Sequence, residues 1–215
     1  MFARLLADLL SLAGSQSFRI FDTDFPAGDL AGFFPENSQI VDFSKTAGQI
    51  QVFDTILSEP QFDYVIDLDQ ALLGPFFKIF SDIRFDQAAK DQGISVSIYF
   101  MLDRKVSTIS AALDIQRLAR KCAFVPIRNE AIGNILTVPL AARIYGEIEK
   151  TREIILPRLS IDALNHIDRL EFTFADFLSR NGENAPPSIR FEIWNFLESL
   201  YNQRTVAENA TPTSL

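Results

Sequence analysis

One pattern constrains this chain more than any other, and it occurs twice: a short apolar run that ends in an acid. Residues 18–22 read FRIFD, followed by Thr23, a second acid at Asp24, and a Pro-Ala-Gly turn. Residues 62–68 read FDYVIDL, with Asp67 closing the apolar centre. Runs of this length, bounded by turn residues, form strands. In open α/β sheets, ligands bind beyond the carboxyl ends of parallel strands. Two such strands side by side would gather Asp22, Asp24 and Asp67 around one crevice. The fold class expected is therefore α/β, with a doubly wound, mostly parallel sheet and helices on both faces.

The rest of the chain alternates in the same sense. Residues 2–13 place Phe2, Leu5, Leu6, Leu9, Leu10 and Ala13 at helical spacing, with Gly14 as a C-terminal cap. Further strands are expected at 39–43, 94–102, 122–127 and 153–156. Helices are expected at 46–57, at 72–91 in two pieces broken near 83–85, at 106–121 and at 140–150, with one or two more over 160–180. The run 94–102 (ISVSIYFML) carries no charge, which suits a central parallel strand. Pro187 stands just inside a last amphipathic helix, ending near Gln203, with Ile189, Ile193, Phe196, Leu197 and Leu200 on one side. Residues 1–204 read as one α/β domain and 205–215 as a flexible tail.

A chain of 215 residues, 47% of them hydrophobic, can bury one sizeable core. Phe supplies 20 residues against one Trp, so much of that core must be aromatic. The net charge of −8 argues against a nucleic-acid footprint spread over the surface. Arg117, Arg120 and Lys121 form one local basic cluster, but cations at a helix end also suit the helix dipole. Cys122 is the only cysteine and lies in an apolar run, which reads as a buried thiol in a reducing cytosol. No apolar run reaches the roughly 18 residues of a membrane span. Arg4 and Asp8 interrupt the first helix, so it does not read as a signal peptide. A cytoplasmic location is expected. His166 is the only histidine and has no cysteine near it in sequence, so a surface or packed helix position is expected rather than a metal site. No Ser/His/Asp or Cys/His nucleophile arrangement is evident.

Four segments, in order, resemble one known family. Asp22-Thr-Asp24-Phe-Pro-Ala-Gly28-Asp-Leu30 is similar to the DxD stretch of ParA/MinD-type P-loop ATPases. Phe62-Asp-Tyr-Val-Ile-Asp67-Leu68 resembles their Walker B strand, and Cys122-Ala-Phe-Val-Pro-Ile-Arg-Asn129 the later strand whose Asn reads adenine. The helix from Phe2 resembles the one that follows their phosphate loop. The resemblance covers residues 1–160 and is nearest the plasmid mobilisation branch. It implies ATP and Mg²⁺ as cofactors, Asp22 or Asp24 positioning water, Asp67 supporting the metal, and Asn129 contacting the base. It also implies a role in plasmid partition, mobilisation or a related positioning task, with a protein partner.

Two departures qualify what the resemblance implies. Asp69 and Gln70 stand where the family usually has Pro or Gly, and no GxxxxGK[ST] segment occurs anywhere in the sequence. That loop supplies the backbone N–H groups and the Lys that cradle the phosphates. The expectation is that the chain is truncated or degenerate, holds no ATP tightly and does not hydrolyse it. The alternative is a non-catalytic protein-interaction module that keeps the scaffold without nucleotide. On either reading the acids also have an ordinary role, because Asp and Asn at strand ends cap turns. The family's first strand lies between the one carrying Asp67 and the one at 94–102. Without it, a gap, a strand donated by another chain (an oligomer through exposed strands) or poor stability is expected.

Overall fold

The computed structural model describes residues 1–12, 18–170 and 172–209, with side chains to residue 203. The expected cap at Gly14 and the last six residues of the expected tail lie outside the described residues. The chain divides into two compact units, Met1–Ile94 with Asn165–Ala185, and Ser95–Leu164 with Pro186–Leu215.

The first unit is built on a three-stranded parallel sheet. β1 (Phe18–Asp22) is central, flanked by β2 (Ser38–Ile40) and β3 (Asp63–Asp67). Alternation along β1 sends Phe18 and Ile20 to one face and Phe21 to the other. Phe18 and Ile20 pack with Ala7 of α1 (Phe2–Leu12), Leu30, Phe34 and Val65. Phe21 stacks on Tyr64 with ring centroids 5.7 Å apart. α2 (Thr46–Ser58), α3 (Leu73–Asp82) and α4 (Phe85–Asp91) share an aromatic core. In it Phe53 lies 5.0 Å from Phe76 and 4.7 Å from Phe85. Arg84, left-handed at φ 54°, separates α3 from α4, at the break the sequence predicts. α2 begins close against the preceding loop: a Cβ on Gly48 would fall 2.4 Å from the Asp42 carbonyl oxygen.

The second unit has its own parallel sheet, β4 (Ser97–Leu102), β5 (Ala123–Asn129) and β6 (Ile154–Leu156), with β5 central. α5 (Val106–Leu118) and α6 (Pro139–Glu147) pack on each other. The residues of α7 (Ile161–Ile167) divide between the two units. α8 (Phe174–Ser179) belongs to the first, and α9 (Pro187–Asn209) packs on β6 in the second. Gln203 closes the outer edge of β6: its Oε1 accepts the Ile155 N–H at 2.7 Å and its Nε2 donates to the Ile155 carbonyl at 2.9 Å. A strand edge leaves such groups unpaired unless something covers them.

The class is α/β with parallel strands, as expected, but one continuous sheet is replaced by two. β4 pairs on one side only, with β5, and Met101 is 42% exposed, so the uncharged run is an edge and not a central strand. Hydropathy reports that a run is a strand; it carries no record of which strand lies beside it. The backbone of α9 continues to Asn209, five residues into the expected tail. Cys122 is partly exposed rather than buried.

α1 also departs from expectation, in a way that controls how it docks. Arg4 and Asp8, the two charges that break its apolar pattern, are 3% and 1% exposed. They sit one helical turn apart, on the buried side. The Arg4 guanidinium donates to the Phe172 carbonyl at 2.7 Å and lies 3.8 Å from the Phe33 ring centroid. The Asp8 carboxylate accepts the Phe174 N–H at 3.0 Å. Burial pushes the Asp8 carboxyl up to about 6 from its ordinary 3.8, against the opposing pull of the Phe174 N–H and of Arg4.

A folded-state pKa above the unfolded one means that the folded chain holds the extra proton between the two values. Asp8 therefore favours folding below about pH 4, and that contribution is lost as pH rises through about 6. Two pKa units correspond to on the order of 3 kcal/mol. In urea titrations, the stability of the wild type relative to Asp8→Asn should fall by up to that amount between pH 4 and pH 7. A difference independent of pH would remove the buried carboxylate from this role.

Candidate functional site

The carboxyl ends of β1 and β3 meet as expected. Asp22 and Asp67 are partners in register, and Ile40 of β2 stands opposite Asp22 on the other side. Beyond β1 the chain turns through residues 23–31 before it reaches β2. Asp22, 1% exposed, governs that turn. Its Oδ1 accepts the Asp24 N–H at 3.0 Å, and its Oδ2 accepts the N–H groups of Leu30 at 2.7 Å and Ala31 at 3.0 Å. One carboxylate thus ties both ends of the loop together. Gly28, at φ 74°, completes the bend, and a Cβ there would fall 2.6 Å from Ile40 Cδ1.

Thr23, a residue the sequence reading passed over, joins the loop to β3. Its hydroxyl donates to the Asp67 carbonyl at 2.7 Å and accepts the Asp69 N–H at 3.2 Å. Its own N–H donates to the same carbonyl at 3.2 Å. The signal was present in the polar run Asp-Thr-Asp at a strand end, where such side chains bond nearby backbone. Asp69 then caps the turn Gln70–Leu72 by accepting the Ala71 N–H.

The other acids differ from Asp22. Asp24 is exposed, two residues past β1, and the Asp29 carboxylate beside it raises its pKa. Asp67 is half-buried, and burial raises its pKa against the pull of the chain's N-terminal ammonium, with the Asp22, Asp29 and Asp24 charges adding to the rise. Negative charge is thus concentrated at one end of this sheet. Asn129 ends β5 in the second unit, where its Oδ1 accepts the Ala131 N–H at 2.9 Å and caps the turn Glu130–Ile132. Beside it Arg128 holds Glu153 at 3.2 Å, and the Tyr145 hydroxyl donates to Glu153. Burial, reinforced by that carboxylate, pushes the Tyr145 phenol up.

The remaining candidates make the following contacts. His166 is 8% exposed and meets the Phe172 ring edge-on at 5.6 Å. Arg117 pairs with Glu147 at 3.0 Å, and Arg120 donates to the Arg117 carbonyl, at the end of α5. No described helix is long and apolar enough to cross a membrane.

Both Asp22 oxygens are committed to backbone N–H groups. Among the described residues no three His, Cys, Asp or Glu side chains are grouped to hold a metal ion. No reaction step is assigned to these groups.

If Asp22 is the clamp of the loop, removing its carboxylate strands three N–H groups. Asp22→Ala should then lose about 3 kcal/mol or more of stability in urea unfolding, while Asp22→Asn, which keeps one acceptor oxygen, loses less. Asp24→Ala should leave the midpoint unchanged or slightly raised, because it relieves repulsion from Asp29. Equal effects of Asp22→Ala and Asp24→Ala would contradict the clamp.

Comparison with known proteins returns no match: no family model, no curated protein and no solved structure matches the chain.

Proposed function

We propose that this chain is a ParA/MinD-like domain serving plasmid partition, mobilisation or a related positioning task, and that these 215 residues do not themselves hydrolyse ATP. The observation that carries the reading is the register of Asp22 with Asp67 at the carboxyl ends of adjacent parallel strands. That is where an open α/β sheet keeps its ligand groups. The second reading is a protein-interaction module that uses the scaffold without nucleotide. The full commitment of the Asp22 carboxylate to its own loop favours it.

Calorimetry separates the two. The chain itself should show no micromolar affinity for Mg-ATP, and no turnover that Asp67→Ala abolishes. Fusing a strand and a GxxxxGK[ST] loop ahead of residue 2 should create Mg-ATP binding, and Asp67→Ala should weaken it by about tenfold, or ~1.4 kcal/mol. A fused chain that folds and still ignores ATP would leave the interaction module as the function.

A further inference from the structure

The stretch from His166 to Ala185 lines an open cavity that the acid-lined loop does not use. It has a volume of about 230 Å³ and lies wholly within the first unit. His166, Phe172, Phe177 and Ala185 of its lining are each between 6% and 8% exposed, and Thr173 and Asn184 add polar groups beside them. The rings fix one another, His166 edge-on to Phe172 and Phe172 tilted 45° to Phe177 at 5.9 Å. Gly182, which also lines the cavity, follows Asn181, and both are left-handed, at φ 65° and 53°. The Gly182 N–H anchors this bend by donating to the Phe177 carbonyl at 2.8 Å. A left-handed residue other than glycine persists only where its surroundings hold it.

The rim is charged. Arg180 is already engaged, its Nε 2.7 Å from Asp176 Oδ1. Glu183 supplies a second acid. Arg169 is exposed and has no carboxylate partner among the described residues. A volume of about 150 Å³ is enough to hold benzene, so about 230 Å³ leaves room for a six-membered ring with a short chain beside the polar lining. A guanidinium at the mouth matches a carboxylate through paired N–H donors.

We infer that this cavity binds a small aromatic carboxylate, with its ring among Phe172 and Phe177 and its carboxylate on Arg169. The test is a titration of the full chain with 3-phenylpropionate, read from backbone amide resonances. Saturable shifts are expected for residues 166–185. The neutral analogue 3-phenylpropanol should bind about five- to tenfold more weakly, the ratio a charge-assisted hydrogen bond supports. Arg169→Ala should weaken the acid by the same factor and leave the alcohol unchanged, and Arg169→Lys should restore part of the loss. Arg169 is exposed, so these variants should keep the wild-type unfolding midpoint. Three results would each overturn the inference: no saturable shift at these amides up to the solubility limit, equal affinity for acid and alcohol, or an acid affinity unaffected by Arg169→Ala.

Discussion

The acid-lined end of the first sheet depends on the hydrogen bonds to one buried carboxylate. Asp22 accepts three backbone N–H groups, from Asp24 at the start of the loop and from Leu30 and Ala31 at its end. A carboxylate out of water is tolerable only when its lone pairs are satisfied in this way. The consequence is mutual. The N–H groups make the buried charge admissible, and the charge fixes a nine-residue turn that has no helix or strand of its own. Thr23 extends the constraint sideways to β3, tying the loop to the Asp67 end of the neighbouring strand.

A second buried charge system docks α1. Most of its buried face is apolar, with Leu5 and Ala7 in the core, yet the residues that fix its position are Arg4 and Asp8. Arg4 reaches a carbonyl and lies among the rings of Phe33, Phe172 and Phe174. Asp8 reaches an N–H of the same segment. Burial lowers the Arg4 pKa and raises that of Asp8, and each charge opposes the shift of the other. The Arg4 Nε has no partner in the structure, so the pair is not fully satisfied. Apolar packing brings the helix to the sheet; the polar contacts to 172–174 select its rotation.

Much of this was legible in the sequence, for reasons that also explain what was not. β1 spans the residues expected, because a run bounded by turn signals on both sides leaves few alternatives. The break between α3 and α4 was equally plain. Sheet order was not, because pairing depends on partners far away in sequence, and β4 is an edge despite its apolar run. The acids at 22 and 67 could be placed at strand ends, but their jobs could not be separated. Asp22 and Asp24 look alike in the sequence, and only the loop geometry makes one a buried clamp and the other an exposed charge. Arg4 and Asp8 looked like interruptions of a stripe because spacing alone cannot reveal a carbonyl and an N–H waiting on the other side.

The same contrast governs how charge is distributed around the loop. Three N–H groups converge on Asp22, whereas Asp67 is half-buried and Asp24 faces another acid. Raised carboxyl pKa values at Asp24 and Asp67 mean that ionising both opposes folding, most strongly above those values. Such an arrangement persists only because the loop geometry is set by a different residue. Asp22 and Thr23 hold the backbone, so Asp24, Asp29 and Asp67 can stay close without contributing to the hold. By contrast Arg19 of β1 pairs with Glu59, the residue that follows α2, at 2.7 Å. Here the structural and the electrostatically costly carboxylates are separate residues within one short turn.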